Sequence, residues 1–116
     1  MKKSRIAQRA FLLALAAFPA MAGWAMAEDA APLELVIEQH KFQPAELHVP
    51  ANQAVQIKVI NKDDAAEEFE SSELKVEKVI PAGKSGIVRL RPLAPGRYSF
   101  IGEYHQDTAK GVIVAE

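Results

Sequence analysis

The stretch that decides the fold is YSFIGEYHQDTAKGVIVAE, Tyr98–Glu116, at the end of the chain. Tyr98 and Phe100 alternate with Ser99 and Ile101, and Val112 and Val114 alternate with Ile113. A period of two marks strands that bury one face and leave the other wet. Between these two strands lies a short polar loop carrying Glu103, His105 and Asp107. An imidazole set between carboxylates can bind a transition metal. A lone loop histidine is more often a hydrogen-bonded structural residue than a ligand, and the residues by themselves go no further than a candidate metal site.

The same alternation runs back through the chain. Leu47 and Val49 alternate with Glu46 and His48, and Val55, Ile57 and Val59 with Gln56 and Lys58. Turn signals separate the strands at short intervals: QPAE around Pro44, PANQ at Pro50, NKDD at Asn61, PAGKSG at Pro81 and LAPGR at Pro95 and Gly96. Many short strands so spaced predict an all-β Greek-key sandwich. The segment AAEEFESSELKVEKV is the ambiguous one. Its Glu-rich start resembles a helix, but Phe69, Ser71 and Val76 sustain no helical stripe, which predicts an extended segment through Phe69.

The beginning of the chain has a different character. Lys2, Lys3, Arg5 and Arg9 precede an apolar run from Ala10 to Ala22, and Ala25–Met26–Ala27 places small residues at the −3 and −1 positions of a cleavage site. That is the anatomy of a secretory signal peptide over residues 1–27. The apolar run is shorter than the roughly 20 residues a spanning helix needs, so no membrane insertion is expected after cleavage. Residues 28–116 are then expected to form one periplasmic domain.

Without residues 1–27, ten basic residues face fifteen acidic ones, a formal charge of −5. Such a surface has no footprint for nucleic acid, which needs a basic face. Cysteine is absent. This excludes a thiolate nucleophile, disulfide exchange and any Cys-ligated metal site. Met1, Met21 and Met26 all precede the cut, so the expected domain also lacks methionine, the other soft donor. No nucleophile elbow surrounds any serine, and neither a glycine-rich phosphate loop nor an HExxH helix occurs. Paired glutamates could in principle cut glycosides, but so small a domain leaves little room for a sugar cleft.

Ionisable residues gather in two places. Asp63, Asp64, Glu67, Glu68, Glu70 and Glu73 form the first group, and Glu103, His105 and Asp107 the second. Each follows an apolar strand that should deliver it to an end of the sandwich. His48 falls on the polar phase of its strand and is expected at the surface. His40, in EQHKF at the first turn, reads either as a surface residue or as support for a site.

Four stretches together resemble a cupredoxin: FQPAELHVPANQAVQIKVINKDD, EEFES, LAPGRYSFIGEYH and KGVIVAE. Against that pattern Asn61 matches the family's asparagine, Glu67 falls where its first copper histidine stands, and Gly102 falls at its cysteine. His105 matches the second histidine, and no methionine lies between His105 and Gly111. A blue electron-transfer site needs the thiolate, so the resemblance implies the fold without that activity. EEFESSELKVEKVIPAGKSG and GEYHQDTAKG are most similar to the cysteine-lacking branch found in EfeO-type proteins and in the small periplasmic partner of Ftr-type ferrous iron transporters. That likeness implies a periplasmic protein that binds copper and/or iron and assists Fe(II) oxidation, a ferroxidase-like activity, before an iron permease takes up Fe(III). It carries metal-binding roles onto Glu67, Glu68, Glu103 and His105, with Asp107 and Glu70 beside them. Alternation puts Glu67 with Phe69 on the inner side and Glu68 with Glu70 on the outer, unless a kink intervenes. The competing expectation is a metal-free interaction module that kept the sandwich and lost the site. Completion of the site across an oligomer remains open at this level.

Overall fold

The computed structural model describes residues 32–116; the expected signal segment lies outside the described residues. Nine strands follow in order: β1 Leu33–Glu38, β2 Lys41–Gln43, β3 Glu46–Val49, β4 Val55–Asn61, β5 Glu67–Ser71, β6 Val76–Ile80, β7 Ser85–Leu90, β8 Gly96–Gly102 and β9 Lys110–Ala115. A single 3₁₀ turn, Glu103–His105, bridges β8 and β9. The strands form two sheets, β2-β1-β4-β7 and β3-β9-β8-β5-β6. β1 runs parallel to β4 and β3 parallel to β9, while the remaining neighbours are antiparallel. Parallel neighbours cannot be joined by a tight hairpin, so the chain must cross between sheets. The expected sandwich is what forms.

Alternation explains which residues meet in the middle. Leu35, Ile37, Ile57, Val59, Val88 and Leu90 project from the four-stranded sheet, and Leu47, Phe69, Phe100 and Ile113 from the five-stranded one. At the end of the sandwich nearest the polar loop, three phenylalanines lock together. Phe69 stacks on Phe100 at 4.9 Å between centroids, and Phe42 meets both edge-on at 6.1 and 4.9 Å. Edge-on and offset contacts suit the ring quadrupoles and bury a large apolar area.

The ambiguous glutamate segment is a strand because only an extended chain can put Phe69 in this core with Glu67 and Ser71 on the same side. Ser71 ends it. Its hydroxyl donates to the Ser99 carbonyl at 2.7 Å and accepts the Leu74 amide at 3.2 Å, which starts the turn into β6.

Asn61, the last residue of β4, closes the other end of the β5–β6 pair. Its buried side-chain amide donates to the carbonyls of Ala65 (2.9 Å), Ile80 (3.0 Å) and Pro81 (3.3 Å), and its oxygen accepts the Asp63 amide at 2.9 Å. One side chain thus shapes the 62–66 loop and ties it to the end of β6.

Phe69→Ala should cost about 3–5 kcal/mol, since it empties the centre of the aromatic cluster and the rigid sheets cannot collapse into the gap. Urea denaturation of the variant against the parent checks this, with a lower midpoint at unchanged slope expected.

Candidate metal centre

The candidate centre sits where β5 begins and β8 ends. Phe69 pairs with Gly102 across these strands, so Glu67, two residues earlier and on the same face, reaches past the end of β8. Its side chain is 1% exposed. A buried carboxylate needs partners, and this one has three. Oε1 accepts the backbone N–H groups of Glu68 and Tyr104, both at 2.9 Å, and Oε2 accepts Nδ1–H of His105 at 2.6 Å.

Gly102 makes room for this carboxylate. A Cβ on residue 102 would stand 2.6 Å from Cβ of Ala109, 2.7 Å from Cδ of Glu67 and 2.9 Å from its Oε2. The carboxylate therefore occupies the space into which a longer side chain at 102 would project. Loss of a side chain at 102 and gain of a carboxylate at 67 are one change in packing.

The loop that holds His105 is closed by its own backbone. Gly102 N–H donates to the Ala109 carbonyl at 2.8 Å, and Thr108 and Ala109 both donate to the His105 carbonyl, at 3.2 and 2.9 Å. The His105 ring, 28% exposed, lies flat against His40, with centroids 3.7 Å apart and an interplanar angle of 15°. His40 comes from the β1–β2 hairpin, so the two rings join the two sheets. Asp63 holds that hairpin by accepting the N–H groups of Gln39 (2.7 Å) and His40 (2.9 Å). Burial pushes the Asp63 carboxyl up, but these two N–H donors and the nearby imidazoles outweigh it and leave it below its usual value.

The other expected site residues go elsewhere. Glu68 and Glu70 point to the outer face of the five-stranded sheet, opposite Val79 and Glu77. Glu103 lies near Glu70 and accepts a hydrogen bond from Gln106 Nε2 at 2.9 Å. Burial, reinforced by Glu103 and then by Glu77 and Glu68, raises the Glu70 carboxyl above its usual value. Asp107 is exposed. The structure thus joins Glu67 with His105 and keeps Glu68 and Glu70 on the other face of the sheet. Among the described residues no three His, Cys, Asp or Glu side chains are placed to hold an ion together.

Sequence reasoning placed no site role on Asp63 and left His40 open. The sequence placed His40 at the first turn, and the structure makes that turn the two residues Gln39 and His40 between β1 and β2. His48 is exposed, as expected, with Nδ1 2.6 Å from Glu116 and Nε2 2.9 Å from Glu46.

A two-sheet Greek-key frame with a histidine in the loop before its last strand is the architecture of the cupredoxins. Residues 10–115 match the cupredoxin-like domain, and the chain belongs to that family. It is 40% identical over 82 residues to an uncharacterized protein of Rickettsia prowazekii (strain Madrid E), spanning 71% of this chain and 66% of that relative's length. Among solved structures it is similar to auracyanin A, a blue copper protein of Chloroflexus aurantiacus, with TM-score 0.63 and 16% identity over 74% of this chain and 98% of that one. A Cu(I) variant of amicyanin gives TM-score 0.61 and 19% identity over 78% and 89%. The metal-binding domain of the Cu(I)-exporting P-type ATPase CopA of Streptococcus pneumoniae gives 0.62 and 17% over 73% and 84%. At these identities the structures share the fold alone.

Two measurements follow. Gly102→Ala should destabilise the protein by about 1–3 kcal/mol, because Ala109 and the Glu67 carboxylate must both give way; equilibrium denaturation checks it. Asp63→Asn and Glu70→Gln should act in opposite directions at neutral pH, the first lowering Tm and the second raising it. Ionised Asp63 favours the fold, and that contribution is lost as pH falls through a carboxyl value below the usual range. Ionised Glu70 opposes the fold, and the gain from Glu70→Gln fades already above the usual range. Thermal melts of the three proteins from pH 7 to pH 3 resolve the order in which the differences vanish.

Proposed function

We propose that this chain is a periplasmic metal-binding protein of bacterial iron uptake that holds Cu(II) or iron through His105 and assists Fe(II) oxidation ahead of an iron permease. The observation that carries the reading is the buried Glu67–His105 pair. A metal-ligating histidine almost always donates its second ring N–H to a carboxylate or carbonyl, which sets the tautomer and aims the other nitrogen. Glu67 does this through Oε2, leaving the Nε2 lone pair of His105 for a ligand. With both oxygens already accepting hydrogen bonds, Glu67 serves as the orienting group, and His105 as the donor.

The residues fit a hard or borderline ion and do not fit a thiolate-bound copper. Glu67 fills the space beside Gly102, and imidazole with oxygen donors suits Cu(II), Zn(II) and iron. Bound Cu(II) would supply an acceptor for the one electron that each Fe(II) releases. The chain's own residues fix the imidazole, and the Glu68, Glu70, Glu77 and Glu103 carboxylates on the adjoining outer face provide a negative field that draws cations. The likeness of EEFESSELKVEKVIPAGKSG and GEYHQDTAKG to iron-uptake cupredoxins supports the pathway and the permease partner.

Anaerobic titration with Cu(II), followed by EPR, tests the reading. Binding tighter than millimolar in the parent, lost in His105→Ala and weakened roughly 10–100-fold in Glu67→Ala, is expected. Adding Fe(II) to the Cu(II)-loaded protein should bleach the EPR signal with one Fe(III) formed per copper reduced. Binding no tighter than millimolar, or unchanged after His105→Ala, refutes the metal-binding reading in favour of the metal-free interaction module. Binding without Fe(II) turnover above the buffer control refutes only the oxidation step.

A further inference from the structure

The hairpin tip that carries His40 is held more firmly than a surface turn requires. Gln39 and His40 both have left-handed φ, 55° and 58°, a region that strains side chains other than glycine. An Asn-Gly pair would make the same two-residue turn with less strain. The chain instead keeps an imidazole there and fastens it from two other segments. Asp63, in the β4–β5 loop, accepts the N–H groups of both turn residues at 2.7 and 2.9 Å. The Thr108 hydroxyl, in the β8–β9 loop, donates to the His40 carbonyl at 2.7 Å. Backbone strain that its surroundings over-determine in this way points to function.

What the fastened ring does follows from what Glu67 leaves undone. The χ2 torsion of a histidine is broad, so the covalent geometry of His105 does not set the plane of its ring. Glu67 Oε2 holds Nδ1 at 2.6 Å, but a hydrogen bond weakens steeply only when bent far from linear. One such bond therefore anchors the nitrogen and still lets the ring tilt around it. His40 closes that freedom. Its ring lies within 15° of parallel to His105 with centroids 3.7 Å apart, which is contact distance, so a tilt toward that side meets a ring that its anchored turn keeps from receding. The near-parallel planes also aim the two Nε2 lone pairs side by side and not at a common point. His40 is thus placed to orient His105, and it is not placed to share an ion with it.

We propose that His40 is a positioning residue of the candidate metal centre: its ring fixes the plane of the His105 imidazole, as Glu67 fixes its Nδ1, so that Nε2 is presented in one direction. The proposal rests on the metal-binding reading of His105, but the ring contact that carries it needs no metal. The role asks for a flat ring and not for imidazole chemistry, so phenylalanine should fill it. Asparagine should not, although it suits a left-handed turn better than histidine does.

The test compares the parent with His40→Asn and His40→Phe, all in a His48→Ala background so that the third histidine takes no metal. Without metal, NMR follows exchange of the His105 Nδ1 proton with water, and thermal melts report stability. With Cu(II) alone, calorimetry gives affinity and EPR the uniformity of the copper environment. His40→Asn should melt no lower than the parent, yet exchange the Nδ1 proton faster, bind Cu(II) roughly tenfold more weakly and broaden the EPR lines. His40→Phe should restore all three toward the parent. That split between melting and ring order separates positioning from a contribution to packing alone. Unchanged proton exchange in His40→Asn overturns the proposal, and so does a His40→Phe variant that exchanges as fast as His40→Asn. If the parent binds no Cu(II), the metal-binding reading of His105 fails and the positioning role fails with it; if the parent binds Cu(II) and His40→Asn binds it equally well, only the positioning role fails.

Discussion

The buried Glu67 carboxylate is the constraint around which this end of the sandwich is arranged. A carboxylate 1% exposed must have its oxygens satisfied or it destabilises the fold by several kcal/mol. Its three hydrogen-bond partners come from β5, from the 3₁₀ turn and from His105, so satisfying it fixes the turn and the imidazole together. The requirement also reaches Gly102, where any side chain would meet that carboxylate. Four positions that look independent in sequence answer to one desolvated group.

A second set of contacts carries that order to the other sheet. Asn61 shapes the 62–66 loop, the loop presents Asp63, and Asp63 holds the two N–H groups of the β1–β2 turn. The turn then lays His40 on His105. Each link before that ring stack is a hydrogen bond to a buried or half-buried polar group, where a lost partner costs more than the bond itself contributes. Positional order at the site is therefore a property of the polar loops. The hydrophobic core supplies only the platform.

The fold was legible because it rests on short-range patterns. Alternation at Leu47–Val49, Val55–Val59 and Tyr98–Ile101 states which face is buried, and Pro, Gly and Asn mark the turns. The same logic separated inward Glu67 from outward Glu68 and Glu70. The site was legible only where a single strand controlled it. Glu67 and His105 lie 38 positions apart and meet because both adjoin the β5–β8 pairing, which the family pattern supplied. His40 could not be placed by periodicity. Its partner lies on the far sheet, and the contact depends on left-handed turn geometry and on a loop carboxylate that reads as one more charge in an acidic run.

The substitution of donors also has a structural logic. In the family pattern a thiolate projects from the end of β8, whereas here the projecting group comes from β5 and β8 contributes bare backbone. A carboxylate from β5 reaches the same volume because Phe69 pairs directly with Gly102, which sets the two strand ends side by side. The exchange keeps the volume filled and the backbone undisturbed while replacing a soft anionic donor by a hard one. It also turns that group from a ligand into a support, since both oxygens are drawn into holding the loop and His105. A metal held on His105, as proposed above, would have few protein donors here. Under that proposal, few protein donors would suit an ion that is admitted and released better than a copper held rigidly through repeated electron transfers.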